Sequence, residues 1–368
     1  MDHRIDRVLV SRMSELTYTP AWWVPGGHLQ TLWGKLVRRT PEVATRVERW
    51  PTPDDDEIEL HRLDPPPGAG PRVPRLLILH GLEGTIRSHY VRGILVAART
   101  YGWAADVLVF RGCGTEMNRA ARMYHSGETT DLDDVVRRLA RDNPEQPIVA
   151  VGFSLGGNVL LKWLGELGSS VPAQFLAAAA VSVPYDLERG SRHLEHGLSR
   201  IYARSFLRSL RKKAAIKHSQ YPNLFDMSRL ALAGTLFDFD DAVTAPMHGF
   251  ASAHDYYHRS SSIHFLGRIA RPTLLLSAYN DPFLPREVLD DVAKLSRSNH
   301  HLTVEFQDNG GHVGFVEGRV PLLARYFAEQ RSMDFLSRQV ALQKNGRPRF
   351  SVTARQRPQI PDRAGHRD

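Results

Sequence analysis

The sequence predicts an α/β fold with a mostly parallel central sheet, and three observations lead there. Short apolar runs recur along the chain: RLLILHG (75–81), ADVLVF (105–110), PIVAVGF (147–153), FLAAAAVSV (175–183), PTLLLSA (272–278) and LTVEF (302–306). Such runs suit strands buried on both faces. Segments with apolar residues at helical spacing lie between them, at 88–102, 129–143 and 286–298, each with a breaker beyond its end. Finally, a chain of 368 residues with 42% hydrophobic content can bury a full core beneath helices on both sides of a sheet.

The remaining elements follow in chain order. Residues 1–40 read as an amino-terminal extension packing on the core. ATRVERW (44–50) and EIELHRL (57–63) alternate apolar and polar residues around an acidic turn, the pattern of an antiparallel hairpin at a sheet edge. The alternation of strand and helix breaks between Pro184 and Pro272, where helical patterns occur without a convincing strand. A helical lid insertion is therefore expected over 185–265, leaving 41–184 and 266–335 as the core. Residues 344–368 carry seven basic and two acidic residues in a Pro-, Arg- and Gln-rich context, which predicts a disordered basic tail.

Composition narrows the functional classes. Most of the formal net charge of +8 sits in that tail, so nucleic acid is not an expected partner. Cys113 is the single cysteine and excludes an internal disulfide, which points to a reducing compartment. The first residues, MDHRIDRVLVSRMSELTY, carry charges throughout and lack the apolar core of a signal peptide. The longest apolar stretch, FLAAAAVSVPY (175–185), is too short to span a bilayer and is interrupted by Ser182 and Pro184. A soluble cytoplasmic protein is the expectation, with no obligate protein partner.

The chemistry begins at VGFSLGGNVLLKW (151–163), where an apolar strand gives way to a helix at a Gly-x-Ser-x-Gly turn. Gly152 and Gly156 leave room for a tight turn that lifts the Ser154 hydroxyl clear of the sheet, the arrangement of a nucleophile elbow. The amide of Leu155 then points to where negative charge would form on a substrate oxygen. A serine hydroxyl needs a base and a carboxylate. Asp281 follows the strand ending near Ala278, and His312 lies in a Gly-Gly-His loop after the strand ending near Phe306. The order Ser, Asp, His is the one this architecture uses. Asp308 is nearer His312 in sequence but falls in a turn. LHGLEG (79–84) supplies a second oxyanion amide at Leu82, with His80 as a loop-fixing residue. No metal-ligand spacing or nucleotide-binding glycine loop is present, so neither metal nor cofactor is expected.

The motifs PAWWVPGGHLQTLW (20–33), LHGLEGTIRSHYVRG (79–93), FRGCGTEMNRAARMYHSGETTDL (110–132), GFSLGGNVLLKWLGE (152–166), FDDAVTAPMHGF (239–250) and NDPFLP (280–285) resemble the YheT-like group of α/β-hydrolase-fold serine esterases. That group is related to mammalian ABHD-type lipases and yeast medium-chain ester enzymes. The resemblance spans about residues 15–335 and implies a carboxylic ester hydrolase with the roles above at Ser154, Asp281 and His312. The mammalian relatives' amino-terminal membrane segment has no counterpart here, so membrane residence is not implied.

Trp22, Trp23 and His28 read as packing of the extension on the core, with a roof over the acyl pocket as the alternative. Cys113, His125 and His248 read as structural. Residues 186–217 hold nine basic residues against three acidic ones. Arg200, Arg204 and Arg208 fall on one helical face, and Leu194, Leu198, Ile201, Leu207 and Leu210 are available for an apolar side. An amphipathic lid helix would follow, capping a pocket for a small-molecule or lipid ester with medium or longer acyl chains. Its basic face would allow peripheral contact with an anionic membrane. Hydrolysis, transfer of the acyl group to an alcohol, and a non-catalytic binding role on the same fold are the three readings left open.

Overall fold

An eight-stranded sheet of order β1-β2-β4-β3-β5-β6-β7-β8 forms the centre of the protein. The computed structural model describes residues 16–344, so residues 1–15 and all of the 344–368 tail except Lys344 lie outside the described residues. The edge hairpin is β1 (Arg46–Pro51) and β2 (Glu57–Leu63), paired antiparallel, with β2 also antiparallel to β4 (Ala104–Val109). β4, β3 (Arg75–Leu79), β5 (Ile148–Phe153), β6 (Phe175–Val181), β7 (Thr273–Ala278) and β8 (Leu302–Gln307) run parallel. The six core strands therefore coincide with the apolar runs to within two residues.

Alternation along each strand divides the core in two. Leu77, Leu79, Ala150, Ala178, Ala180 and Leu275 face the helices Thr130–Asp142, Leu155–Leu167 and Arg286–Ser296. Leu76, Ile78, Val149, Val151, Leu274 and Leu276 face the helices His89–Thr100 and Phe327–Lys344. Both sets are inaccessible to solvent, as a sheet covered on both sides requires. The last helix carries Met333, Leu336 and Val340 into the second core, so the core continues past residue 335, the boundary expected from sequence. Leu336 and Val340 extend the buried stripe by one more turn.

Between Val181 and Thr273 the described chain is helical, including Leu187–Leu194, Ser199–Gln220 and Ala253–Ser260. Lys217 is fully buried and donates to the carbonyls of Asn118 (2.5 Å) and Ala120 (2.6 Å), docking the long helix on the loop after β4. That loop is braced by Arg111, whose guanidinium bonds Asp131 (2.9 and 2.6 Å) and Asp54 (2.7 Å). Leu207 and Leu210 are buried, but Leu198 and Ile201 are 61% and 62% exposed, contrary to the apolar face expected for all five residues. Leu194 belongs to the preceding helix, and Leu198 precedes the turn into the long one. Ile201 shares the long helix with Leu207 and Leu210, but its spacing from them places it roughly on the opposite face, so it and the adjacent Leu198 lie off the packed side. Among the described residues, no helix is long and apolar enough to cross a membrane.

Candidate active site

Strand β5 ends at Phe153 and the next helix starts at Leu155, so Ser154 occupies the turn at the centre of the sheet. Its φ is +52° and ψ −122°, a conformation that costs an L-residue on the order of 1–3 kcal/mol and persists only where the surroundings enforce it. A Cβ on Gly152 would lie 2.5 Å from the Gly156 carbonyl oxygen, and one on Gly156 would lie 2.5 Å from the His80 carbonyl oxygen. Glycine at both positions lets the strand, the helix and the loop after β3 approach closely.

Ser154 Oγ lies 2.9 Å from His312 Nε2, and His312 Nδ1 lies 2.8 and 3.1 Å from the two carboxylate oxygens of Asp281. The Asp281 side chain is wholly buried and the His312 side chain is 9% exposed. Asp281 also accepts the Phe283 amide at 2.8 Å, while the Phe283 ring stacks on the imidazole with centroids 4.0 Å apart. With Nδ1 facing a carboxylate, the proton belongs on Nδ1, which leaves Nε2 as the acceptor of the serine hydroxyl. Asp308 is exposed and outside this arrangement.

Leu82 and Leu155 line the same cavity as Ser154 and His312, and among the described residues neither amide donates a hydrogen bond to the protein. The first turn of a helix supplies such free N–H groups. His80 holds the loop carrying Leu82. Its Nδ1 donates to the Gly81 carbonyl (2.8 Å) and its Nε2 accepts from the Phe110 amide (3.1 Å), with burial pushing its pKa down to about 4. The ring is thus neutral and serves as a bridge.

The cavity encloses about 780 Å³. The helical insertion lines one side with Leu194, Leu210, Leu236, Phe239, Val243 and Met247. Trp22 and Trp23 are not among its lining residues. Their indole nitrogens donate to the carbonyls of Arg319 (3.0 Å) and Gly318 (2.9 Å). Trp23 also packs against Trp33, whereas the Trp22 ring is largely exposed and does not pack on the core. His28 bonds Tyr202 of the insertion at 3.2 Å. His125 and His248 do reach the cavity wall, with rings 4.5 Å apart, and burial lowers the pKa of both. Cys113 is buried, which pushes its thiol up to about 11 and away from the thiolate form. Among the described residues, no group of three or more His, Cys, Asp or Glu is arranged to hold a metal ion.

Sequence reasoning missed the residues that hold the histidine. Thr31 Oγ1 accepts the His312 amide at 2.8 Å, Ser182 Oγ accepts the Val313 amide at 3.0 Å, and Asn280 Oδ1 accepts the Gly311 amide at 3.0 Å. Ser182 is marked in the sequence as a polar residue inside an apolar run, and Thr31 and Asn280 fall within the motifs PAWWVPGGHLQTLW and NDPFLP, but nothing local ties any of the three to His312.

A family model for the alpha/beta hydrolase fold matches residues 74–319. YheT of Escherichia coli (strain K12), named as a presumed esterase, is 40% identical over 314 residues, covering 84% of this chain and 90% of that protein. The chain belongs to the YheT-like α/β hydrolases. Its relatives in this family include mouse phospholipase ABHD3, 30% identical over 84% of this chain and 76% of that one. Among solved structures, the Pyrococcus furiosus esterase Pf2001 superposes with a TM-score of 0.53 at 16% identity, covering 80% of this chain and 91% of that one, which supports the common fold. An esterase- or lipase-like hydrolase is the function class of this α/β hydrolase.

Proposed function

We propose that this α/β hydrolase cleaves carboxylic esters through an acyl-enzyme, with Ser154 as nucleophile, His312 as base and acid, and Asp281 holding the imidazole. The observation that carries this reading is the continuous hydrogen-bond chain from Ser154 to Asp281 opening beside two unused amides. The ester carbonyl oxygen sits between the Leu82 and Leu155 N–H groups. Ser154 Oγ bonds to the carbonyl carbon while its proton passes to His312 Nε2. The tetrahedral oxyanion is stabilised by the two amides. As it collapses, the carbon–oxygen bond to the alcohol breaks and His312 returns its proton to the leaving oxygen. Water then attacks the acyl-enzyme, giving a proton to Nε2 that finally returns to Ser154 as the acid leaves. The Asp281 carboxylate keeps the proton on Nδ1 and stabilises the imidazolium without accepting that proton.

The cavity volume and its apolar wall support medium or longer acyl chains over acetate. We assign the helical insertion the role of a lid over this pocket. Leu198 and Ile201, exposed beside Arg200 and Arg204, support peripheral contact of that lid with an anionic lipid surface. The lone buried thiol, Cys113, fits a reducing compartment such as the cytoplasm. Labelling with a fluorophosphonate tests the core of this reading: wild type is expected to react and S154A to remain unlabelled, and labelling elsewhere with full esterase activity in S154A would overturn it. A panel of p-nitrophenyl esters of increasing chain length tests the pocket, with highest kcat/KM on acetate as the contrary result.

A further inference from the structure

The residue after the Leu82 amide is an acid. Glu83 adopts φ +56°, a left-handed conformation, and its amide donates to the Tyr124 hydroxyl at 3.0 Å. That hydroxyl donates in turn to Glu83 Oε1 at 2.7 Å. Two residues of the long insertion helix complete the shell: Lys213 Nζ donates to Oε1 at 2.5 Å, and Ser209 Oγ donates to Oε2. Ser209 and Lys213 are four residues apart and so share one helical face. The Glu83 and Lys213 side chains are only 11% and 17% exposed.

A carboxylate in this position opposes the reaction. Negative charge builds on the substrate oxygen in the transition state, and a largely buried anion lining the same cavity acts against it. Among the described residues, Lys213 is the cation paired with Glu83. Lys213 also lies 3.2 Å from Cys113 Sγ, but burial keeps that thiol neutral, so the ammonium has Glu83 as its one anionic partner there.

The helix carrying Lys213 touches the other half of the site as well. Ser199 at its start donates to the Pro282 carbonyl at 2.6 Å, beside Asp281, and Tyr202 packs on Phe283, the ring stacked against His312.

We propose that Lys213 is a positioning residue for ester cleavage: by neutralising Glu83 it sets the shape and charge of the Leu82 oxyanion loop, so that docking of the insertion helix completes the site. This rests on the oxyanion role assigned to Leu82 above. A carboxylate bridging the loop to the insertion gives that loop a handle on the cover of the cavity, and the lysine cancels the electrostatic cost of the handle. The transition state, in which the oxygen is charged, feels the loss of the lysine more than the neutral bound ester does.

The test is steady-state kinetics of K213M, K213R and E83Q/K213M on one p-nitrophenyl ester, with active sites counted by fluorophosphonate labelling and Tm recorded for each. K213M is expected to lose about 10–100-fold in kcat, with KM changed by less than about threefold. K213R is expected to retain most of the activity. E83Q/K213M is expected to recover to within about fivefold of wild type, because the opposing charge has gone with its partner. A double variant that folds yet is as slow as K213M, or a K213M with wild-type kcat, would overturn the proposal. Should K213M fold poorly, the double variant decides. S154A separates the two levels: if it stays active, the assignment of the site itself fails, whereas an inactive S154A beside an unimpaired K213M removes only the role of Lys213.

Discussion

The serine turn and the histidine loop meet at 2.9 Å, and they are built by opposite means. Ser154 is posed by its own neighbours: the glycines on either side, the start of the helix, and the Gly157 and Asn158 amides donating to its carbonyl at 2.9 and 3.1 Å. Its one distant tether is its amide on the Val181 carbonyl at 2.8 Å, across the adjoining strand. The histidine loop borrows its support. Its amides end on Thr31, Ser182 and Asn280, at separations of 281, 131 and 31 residues along the chain. Gln30 then accepts the Val316 amide at 2.7 Å. The proposed nucleophile is therefore posed by a pentapeptide between a strand and a helix, whereas the proposed base depends on three segments that only the finished fold brings together.

The largest effect should come from the local half. S154A is expected to lose on the order of 10⁴-fold or more in kcat on esters, because the groups of such a constellation act as a unit. D281N should cost about as much by favouring the wrong imidazole tautomer. D308N, altering an exposed residue, should be near wild type. A reversal of the two aspartate variants in a kinetic assay would displace Asp281 as the partner of the base.

The loop after β3 combines both means of construction, and acid should reveal it. His80 is wholly buried and is held neutral in the folded protein, with its pKa near 4 because of burial. In the unfolded chain its pKa is about 6.5. Between those values the unfolded state binds more protons, so this contribution is complete above about pH 6.5 and is lost as pH falls towards 4. The loss amounts to roughly 3 kcal/mol by linkage. Urea titrations should show the slope across that window, and H80Q should flatten it. An unchanged slope in H80Q would assign the acid sensitivity to other groups.

A smaller loss should follow in the tertiary half. T31V removes one acceptor from the His312 amide, a bond worth about 1 kcal/mol, and should lower kcat about 5–10-fold with little change in Tm. Wild-type turnover in T31V would mean that the histidine loop supports itself, which would erase the contrast between the two halves. The smallest effect belongs to the outer face of the insertion. Replacing Arg200, Arg204 and Arg208 with Gln should weaken flotation with anionic vesicles at low salt several-fold, while turnover of a soluble ester stays unchanged. No binding by the wild type would remove the membrane-contact reading and leave the active site untouched.

The same division separates what was legible in the sequence from what was not. The six core strands, the edge hairpin, the elbow glycines, and Ser154, Asp281 and His312 each carry a short-range mark: a buried run, an alternation, a glycine beside a serine, or a polar residue just past a strand. The paths inside the insertion carried weaker marks. Five apolar residues there looked like one face, but Leu194 belongs to a separate helix, and Ile201 lies roughly opposite Leu207 and Leu210 on the long one, which leaves Leu198 and Ile201 in solvent. Lys213 and Lys217 counted as part of a basic surface, and both turn inward, the first to Glu83 and the second to backbone carbonyls.

By itself, then, the sequence determined the order of strands and helices, the strained turn at Ser154 and the types of residue that could serve it, since these follow from backbone geometry and burial within a few neighbours. Only the tertiary structure decided that Thr31 and Ser182 hold the His312 loop, that Trp22 and Trp23 stay out of the cavity, and which lysine meets Glu83. A polar side chain finds its partner on whatever surface packing places opposite it. That surface is assembled from residues whose positions no local periodicity encodes.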